Sequence, residues 1–349
     1  MEIPRKYELQ TYLSPIFDSH IVYHESVLFI EGEDTAPLLF PADEILAVFS
    51  ADLTVEYKKG TDWTLDKGSL VRLPHSGIPQ ITLAEYYPSE HRDGMDFGCT
   101  VPGRPFIRFG EGDTFIGRQA AVTYRHSGTW GGRVPVCQDK FRRFREKLTS
   151  GQPVRVVFYG DSITVGANSS GFIGVPPHAP VWAEMVTEGL KLRSGNDAVE
   201  YINTAVGGMN ASWGLENIAE RVIAHRPDLL VLGFGMNDAH ISPDEFIELT
   251  VKMVREVQRA CPECDIALVA TMLPHDKVTG FFGNQLLFEP LLEAFAAEED
   301  SVGVIPMTSI HRHLLTRKPY HHMTGNNVNH PNDFLARIYA MCALGTILG

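Results

Sequence analysis

The distribution of apolar residues divides the chain into two halves with different periodicities. From residue 154 onward, five nearly continuous apolar runs alternate with loops and helical segments. The runs are VRVVFYG (154–160), VEYIN (199–203), PDLLVLGFG (227–235), CDIALVA (264–270) and VGVIPM (302–307). Strands that are buried on both faces of a parallel sheet have this composition. The pattern therefore predicts a three-layer α/β domain over residues 154–349, with its functional site at the carboxyl ends of the strands.

The segments between the apolar runs carry helix signals. Ser242-Pro243-Asp244-Glu245 is a capping box with proline at the first helical position. Apolar stripes at helical spacing follow it and also run through residues 215–222. A further helix is predicted over PNDFLARIYAMCALG (331–345). Strands and helices thus alternate, as they do in a parallel sheet covered on both faces.

The first 137 residues have a different rhythm. Short β-branched and aromatic segments lie between Gly, Pro, Asp and Ser; they are IVYHESVLFIEG (21–32), LTVEYKKG (53–60), GSLVRLP (68–74) and PQITLAEYYP (79–88). Leu53, Val55 and Tyr57 alternate with polar residues, as in a strand with one buried face. We therefore predict a β-sandwich or jelly-roll accessory domain over 1–137. A helical linker over 138–153, containing QDKFRRFREKL, separates it from the α/β domain at 154–349.

Composition narrows the functional classes. A chain of 349 residues with 44% hydrophobic and 21% charged residues is expected to be globular, with two domains. The net charge is −13 and no basic block occurs, which argues against a nucleic-acid partner. No apolar run approaches the roughly 20 residues that a membrane helix needs. The polar start MEIPRKYELQ predicts a cytoplasmic protein, although a secreted protein without its leader would look the same. Nothing in the pattern predicts the oligomeric state.

The cysteines do not indicate a disulfide framework or a metal site. Five cysteines in a long chain are an odd number, and Cys261 and Cys264 form a single CxxC without a second ligand pair. No metal and no cofactor is therefore expected.

Four short motifs carry the candidate chemistry, and they fall at strand ends or in the last loop. They are Gly160-Asp161-Ser162, NTAVGGMN (203–210), GFGMNDA (233–239) with Asn237, and NNVNHPND (326–333) with His330. Carboxyl ends of parallel strands meet at one edge of a sheet, so these segments are predicted to converge. A hydroxyl nucleophile, two oxyanion donors and a base are the groups that acyl transfer to water requires.

Together these motifs resemble those of the SGNH hydrolases, the GDSL-type esterase and lipase superfamily. With its strand-rich first half, the chain is similar to two-domain carbohydrate esterases that have an N-terminal β-domain. The resemblance covers residues 154–349 and implies a flavodoxin-like sheet, no metal, and ester hydrolysis through an acyl-enzyme. It implies Ser162 as nucleophile and His330 as general base. The N–H groups of Ser162 and Gly208 and the amide of Asn237 would form the oxyanion hole, with Gly208 preferred to Gly207 from its spacing.

One position departs from the family pattern. The family usually has Asp three residues before the histidine, whereas this chain has Asn327. An asparagine carbonyl can orient an imidazole but lacks the charge that stabilises the imidazolium. We therefore expect a Ser162–His330 dyad, with Asn327 or a nearby carbonyl orienting the ring. Asp333 is an alternative partner, although its position suits a helix start. Asp161 is expected to support the nucleophile loop through hydrogen bonds.

The sequence thus favours a serine esterase that removes a short acyl group, most simply acetyl, from a small alcohol. The resemblance suggests that the alcohol is a carbohydrate. Two alternatives share the same motifs. One is an acyl hydrolase of the lysophospholipase or thioesterase type, and the other is a protein that binds an acylated glycan without turning it over.

Overall fold

The structure, a computed structural model, describes residues 3–349. Its N-terminal part is rich in short strands: β1 (Ile21–Val27), β2 (Phe29–Ile30), β3 (Thr35–Ala36), β4 (Glu44–Ser50), β5 (Trp63–Asp66), β6 (Ser69–Arg72), β7 (Gln80–Ile81), β8 (Asp96–Gly98), β9 (Phe106–Arg108) and β10 (Ala120–Arg125). They form small sheets in the orders β1–β10–β4, β3–β6–β5, β2–β7 and β8–β9. Short helices α1 (Leu9–Tyr12), α2 (Leu83–Tyr86) and α3 (Asp113–Ile116) lie between them.

The strand predicted over residues 53–60 is wrong. The chain leaves β4 at Ser50 and turns, because Leu53 donates its N–H to Ser50 O and takes a left-handed backbone with φ 62°. The Asp52 carboxylate accepts from Thr54 N within the same turn. Val55 is consequently 52% exposed instead of sharing a buried face. The strand at this place is the preceding EILAVFS segment, β4.

The segment over residues 79–88 was also predicted as a strand, and only its first part is one. This part is β7, which pairs with β2 in a two-stranded sheet. The hydroxyl of Thr82 then accepts a hydrogen bond from Glu85 N and starts α2. A threonine that can cap a helix overrides the strand preference of the aromatic residues that follow it.

A 3₁₀ turn at Asp139–Phe141 leads into helix α4 (Arg142–Thr149), which precedes the main sheet. The five strands of that sheet are β11 (Val154–Gly160), β12 (Val199–Asn203), β13 (Leu229–Gly233), β14 (Asp265–Val269) and β15 (Val302–Ile305). The helices among and after them are α5 (Ser162–Val165), α6 (Trp182–Ser194), α7 (Ala211–Arg221), α8 (Pro243–Ala260), α9 (Gln285–Ala297), α10 (Met307–Leu315) and α11 (Asp333–Ile347). All neighbouring strands are parallel, in the order β12–β11–β13–β14–β15. This is the doubly wound, flavodoxin-like order, and it confirms the predicted fold class.

Successive residues of β11 pack on opposite faces of the sheet. Val157 and Tyr159 join a core with residues of α7, α8 and α9, while Val156 and Phe158 join a core with residues of α6 and α11. The second core also contains Val122 and Tyr124 of β10. The N-terminal region therefore shares a continuous hydrophobic core with one face of the α/β region.

Candidate active site

Ser162 lies where β11 ends at the carboxyl edge of the sheet. The strand runs out at Gly160, which is in register with Gly233 on β13. A Cβ on Gly160 would lie only 2.1 Å from Gly233 O, so the close approach of the two strands requires glycine. The Asp161 carboxylate accepts from Ile163 N and caps α5, which Ser162 begins. This is the supporting contact that the sequence predicted for Asp161.

The structure brings Ser162 and His330 into direct contact. The serine Oγ lies 2.9 Å from Nε2 of the imidazole, although the two residues are 168 positions apart. Ser162 is 7% exposed and His330 is 8% exposed, so the pair is nearly closed off from solvent. An imidazole nitrogen at hydrogen-bond distance from a hydroxyl is placed to take its proton.

The other ring nitrogen contacts Asn168, which the sequence did not single out. Nδ1 of His330 lies 2.7 Å from Asn168 Oδ1. An amide oxygen only accepts, so Nδ1 carries the proton and Nε2 is left as the acceptor for Ser162. Asn168 is 1% exposed and has a left-handed backbone with φ 64°, which asparagine adopts more readily than most residues.

A carboxylate from the N-terminal region also reaches the histidine. Glu111 Oε2 lies 3.5 Å from Nδ1 of His330, and Oε1 accepts a hydrogen bond from Asn326 Nδ2 at 3.2 Å. Burial acts to raise the pKa of Glu111, but hydrogen bonds and charge from His330 and hydrogen bonds from Asn326 and Asn168 outweigh it and lower the pKa below its usual value. No local pattern in the sequence predicts this contact.

The structure corrects the predicted orienter of the ring, because the side chain of Asn327 does not contact His330. Its Oδ1 accepts from the Tyr86 hydroxyl at 3.1 Å and its Nδ2 donates to Arg108 O at 2.9 Å. The backbone of Asn327 is left-handed, with φ 67°. The tight turn at this position directs the amide into the N-terminal region, away from the imidazole.

Asn326 sets the shape of the loop that carries His330. Its Oδ1 accepts hydrogen bonds from the backbone N–H groups of Val328, Asn329 and His330, each at 3.0 Å. One fully buried side chain thus holds the backbone of three consecutive residues. Asp333, the alternative partner considered from the sequence, starts α11 and accepts from Ser170 N at 2.8 Å.

The two predicted oxyanion segments lie beside the nucleophile. A Cβ on Gly207 would lie 3.8 Å from Ser162 Cβ, while one on Gly208 would meet nothing within 4 Å. The amide Nδ2 of Asn237 donates to Met209 O at 2.9 Å, which holds it against the same turn. The assignment of Gly208 and Asn237 as oxyanion donors stays a prediction.

Two buried carboxyls, those of Asp161 and Asp238, adjoin Ser162 and Asn237 along the chain. Burial raises the pKa of Asp161 to about 7, with a further contribution from the nearby Asp238. Burial likewise raises the pKa of Asp238 to about 6. Asp238 accepts from Ala211 N through Oδ1, and its Oδ2 has no partner among residues 3–349. Both groups therefore favour the neutral form at mildly acidic pH.

Two further statements concern the described part of the chain, residues 3–349. No group of three or more His, Cys, Asp or Glu side chains is arranged to hold a metal ion. No helix there is both long and apolar enough to cross a membrane.

A Ser–His pair supplies the nucleophile and the base of serine hydrolases, which occur on several unrelated folds, parallel α/β sheets among them. The model of the GDSL-like Lipase/Acylhydrolase family matches residues 158–337, just over half of the sequence, and this chain belongs to that family. The matched segment contains Ser162, Gly208, Asn237 and His330. No curated protein matches the chain.

Several solved structures are similar over part of the chain. A two-domain esterase (CEX) active on acetylated mannans, crystallised with mannopentaose, is 20% identical, with 61% of this chain and 55% of that chain covered and a TM-score of 0.49. An acetylxylan esterase from Geobacillus stearothermophilus is 17% identical, with 55% and 92% covered and a TM-score of 0.45. This chain thus matches about half the length of the two-domain esterase. Likeness at this distance does not define the substrate of this chain.

Proposed function

We propose that this protein is a serine esterase that hydrolyses short acyl esters through an acyl-enzyme on Ser162. The observation that carries the proposal is the 2.9 Å contact between Ser162 Oγ and His330 Nε2. It lies within the segment that matches the acylhydrolase family. The 2.7 Å contact of Nδ1 with Asn168 supports it further, because it leaves Nε2 free to act as the base.

The reaction follows from these positions. Ser162 Oγ attacks the acyl carbonyl carbon while its proton passes to Nε2 of His330. In the proposed reaction the N–H groups of Ser162 and Gly208 and the Asn237 amide stabilise the negative charge on the carbonyl oxygen. The tetrahedral intermediate then expels the alcohol, which takes the proton from the imidazolium. Water, deprotonated by the same nitrogen, attacks the acyl-enzyme and releases the carboxylic acid and Ser162.

The proposed substrate is a short acyl ester, most simply acetyl, of a polar alcohol such as a sugar. Ser162 and His330 are 7% and 8% exposed, so little of the reacting pair is accessible, which suits a small acyl group. Polar side chains lie nearby: half-exposed Glu111 contacts His330, and partly buried Asn237 lies against the turn at Met209. Such surroundings favour an alcohol with several hydroxyl groups over an apolar chain.

The test is hydrolysis of p-nitrophenyl esters of increasing chain length, followed by acetate release from acetylated sugars. We expect acetate to be preferred and Ser162→Ala to lower kcat by at least about 10³-fold while the protein stays folded. A fluorophosphonate probe should label the wild type and not the variant. A Ser162→Ala protein with wild-type activity would refute the nucleophile assignment. Saturable sugar binding without probe labelling would instead support a binding protein.

A further inference from the structure

The Ser–His pair has no carboxylate from its own region. The group that directly holds Nδ1 of His330 is the neutral amide of Asn168. Among residues 3–349, the carboxylate within ion-pair distance of the ring is that of Glu111, which belongs to the N-terminal region between β9 and α3. An imidazolium forms transiently in the proposed reaction, and a nearby anion stabilises it.

We propose that Glu111 is the anionic positioning residue of His330, supplied to the active site by the N-terminal region. This inference rests on the proposed function, since it concerns the base of that reaction. Glu111 acts at two points: Oε2 lies 3.5 Å from Nδ1, and Oε1 holds Asn326 Nδ2 at 3.2 Å. Asn326 in turn binds the backbone N–H of His330.

The loop that carries Glu111 is closed by its own turn and lies next to Asn168. Thr114 Oγ1 donates to Glu111 O at 3.1 Å and closes the turn. Gly112, with φ 67°, allows the chain to bend into α3, and its carbonyl oxygen lies 3.5 Å from Asn168 Nδ2. The amide of Asn168 therefore lies between the ring and the Glu111 turn, with its oxygen toward the ring. This orientation lets the carboxylate and the amide act on Nδ1 together.

The exposure of Glu111 sets how much its charge can contribute to catalysis. The Glu111 side chain is 53% exposed, so solvent screens its attraction to the imidazolium. His330 is the titratable group that contacts Glu111, while Asn326 and Asn168 are neutral. Exposed pairs at this separation contribute modestly. We therefore expect removal of the charge to lower kcat by about three- to tenfold.

The experiment compares Glu111→Gln, Glu111→Asp and Glu44→Gln in the full chain. Glu44 is the matched control, because it lies in the same region, is 58% exposed and loses the same charge. For Glu111→Gln we expect a lower kcat, KM within about twofold, and an acid limb of the kcat/KM profile moved to lower pH by about half a unit. Glu111→Asp should recover much of the kcat, and Glu44→Gln should behave as the wild type.

An NMR titration of the His330 ring tests the influence of the Glu111 carboxylate without requiring turnover. Its midpoint should fall in Glu111→Gln and not in Glu44→Gln, whether or not the test ester is a good substrate. A Glu111→Gln protein with the midpoint and profile of Glu44→Gln would overturn the inference. So would an equal loss in Glu111→Gln and Glu111→Asp together with a lowered Tm, because that result indicates a structural role. Failure of the Ser162→Ala test would instead remove the proposed function.

Discussion

The nucleophile and the histidine are held in place by different parts of the molecule. Ser162 follows β11 by two residues, and its turn is tied to the sheet itself through Asp161 N–Gly233 O and Val206 N–Gly160 O. His330 lies in the loop between α10 and α11, and side chains of the N-terminal region support that loop. The base is therefore positioned by tertiary contacts, whereas the nucleophile is positioned by the regular fold.

The N-terminal contacts to the histidine loop are numerous and buried. Gln119 Nε2 donates to Thr324 O at 2.9 Å, and Gln119 Oε1 accepts from Asn332 Nδ2 at 2.9 Å. A fully buried ion pair between Lys318 and Glu25 joins the same two regions. Breaking such a pair by removing one partner leaves an uncompensated charge. The strand-rich region thus serves as part of the active-site scaffold and not only as an appended module.

The largest expected effect comes from disturbing the nucleophile side. Gly160→Ala should destabilise the protein by more than about 3 kcal/mol, because the new methyl group meets Gly233 O and the strands must separate. Urea unfolding and fluorophosphonate labelling of Ser162 measure the two consequences. Gly94→Ala is the control: its Cβ meets nothing within 4 Å, so only the strain of φ 70° remains, about 1 kcal/mol. A Gly160→Ala protein as stable as that control would refute the close-approach argument.

The contrast between the two sides also explains what the sequence could predict. Strands β11 to β15 were predicted because strands buried on both faces are apolar throughout. The positions of Ser162, Gly208 and Asn237 followed, since the carboxyl ends of parallel strands meet at one edge. These features depend on local pattern and a regular topology.

The partners of His330 were beyond that kind of inference. The resemblance to the family pointed to Asn327, three residues before the histidine, but a left-handed turn aims its amide elsewhere. Asn168 is 162 positions from His330 along the chain, and Glu111 comes from another region altogether. Finding them requires knowledge of how the N-terminal region packs on the sheet, and its strands were themselves predicted only in part.

The second prediction concerns Asp161, the buried residue before the nucleophile. Its ionisation makes the free energy of unfolding depend on pH over a defined range. Burial raises the pKa of Asp161 to about 7, against about 3.9 for an exposed aspartate. Between these values the folded protein holds a proton that the unfolded chain has released, so its stability falls as the pH rises from about 4 to about 7. Over this pH range the free energy of unfolding, measured with urea, should fall by about 2–4 kcal/mol.

Asp161→Asn should flatten that pH dependence, because an amide caps α5 in the same way and carries no charge. The exposed Asp66→Asn is the control and should keep the wild-type slope. Asp238, with its pKa raised to about 6, titrates in the same window, so a part of the slope should remain in Asp161→Asn. An unchanged slope would mean that Asp161 is ionised in the folded protein throughout.

The last prediction compares two asparagines as partners of the His330 ring. Asn327 is the partner expected from the sequence, and Asn168 is the one that the structure shows. Asn168 and Asn327 are 1% and 0% exposed, with φ of 64° and 67°, so substitution by alanine costs each site a buried amide and adds the same backbone strain. Of these two asparagines, Asn168 is the one that contacts Nδ1 of His330. Asn168→Ala should lower kcat about ten- to a hundredfold, whereas Asn327→Ala should keep kcat within about threefold and lose only stability. Steady-state kinetics with urea unfolding of both variants decides between them. Equal losses of kcat would mean that the loop as a whole, and not the contact to Nδ1, sets the ring in place.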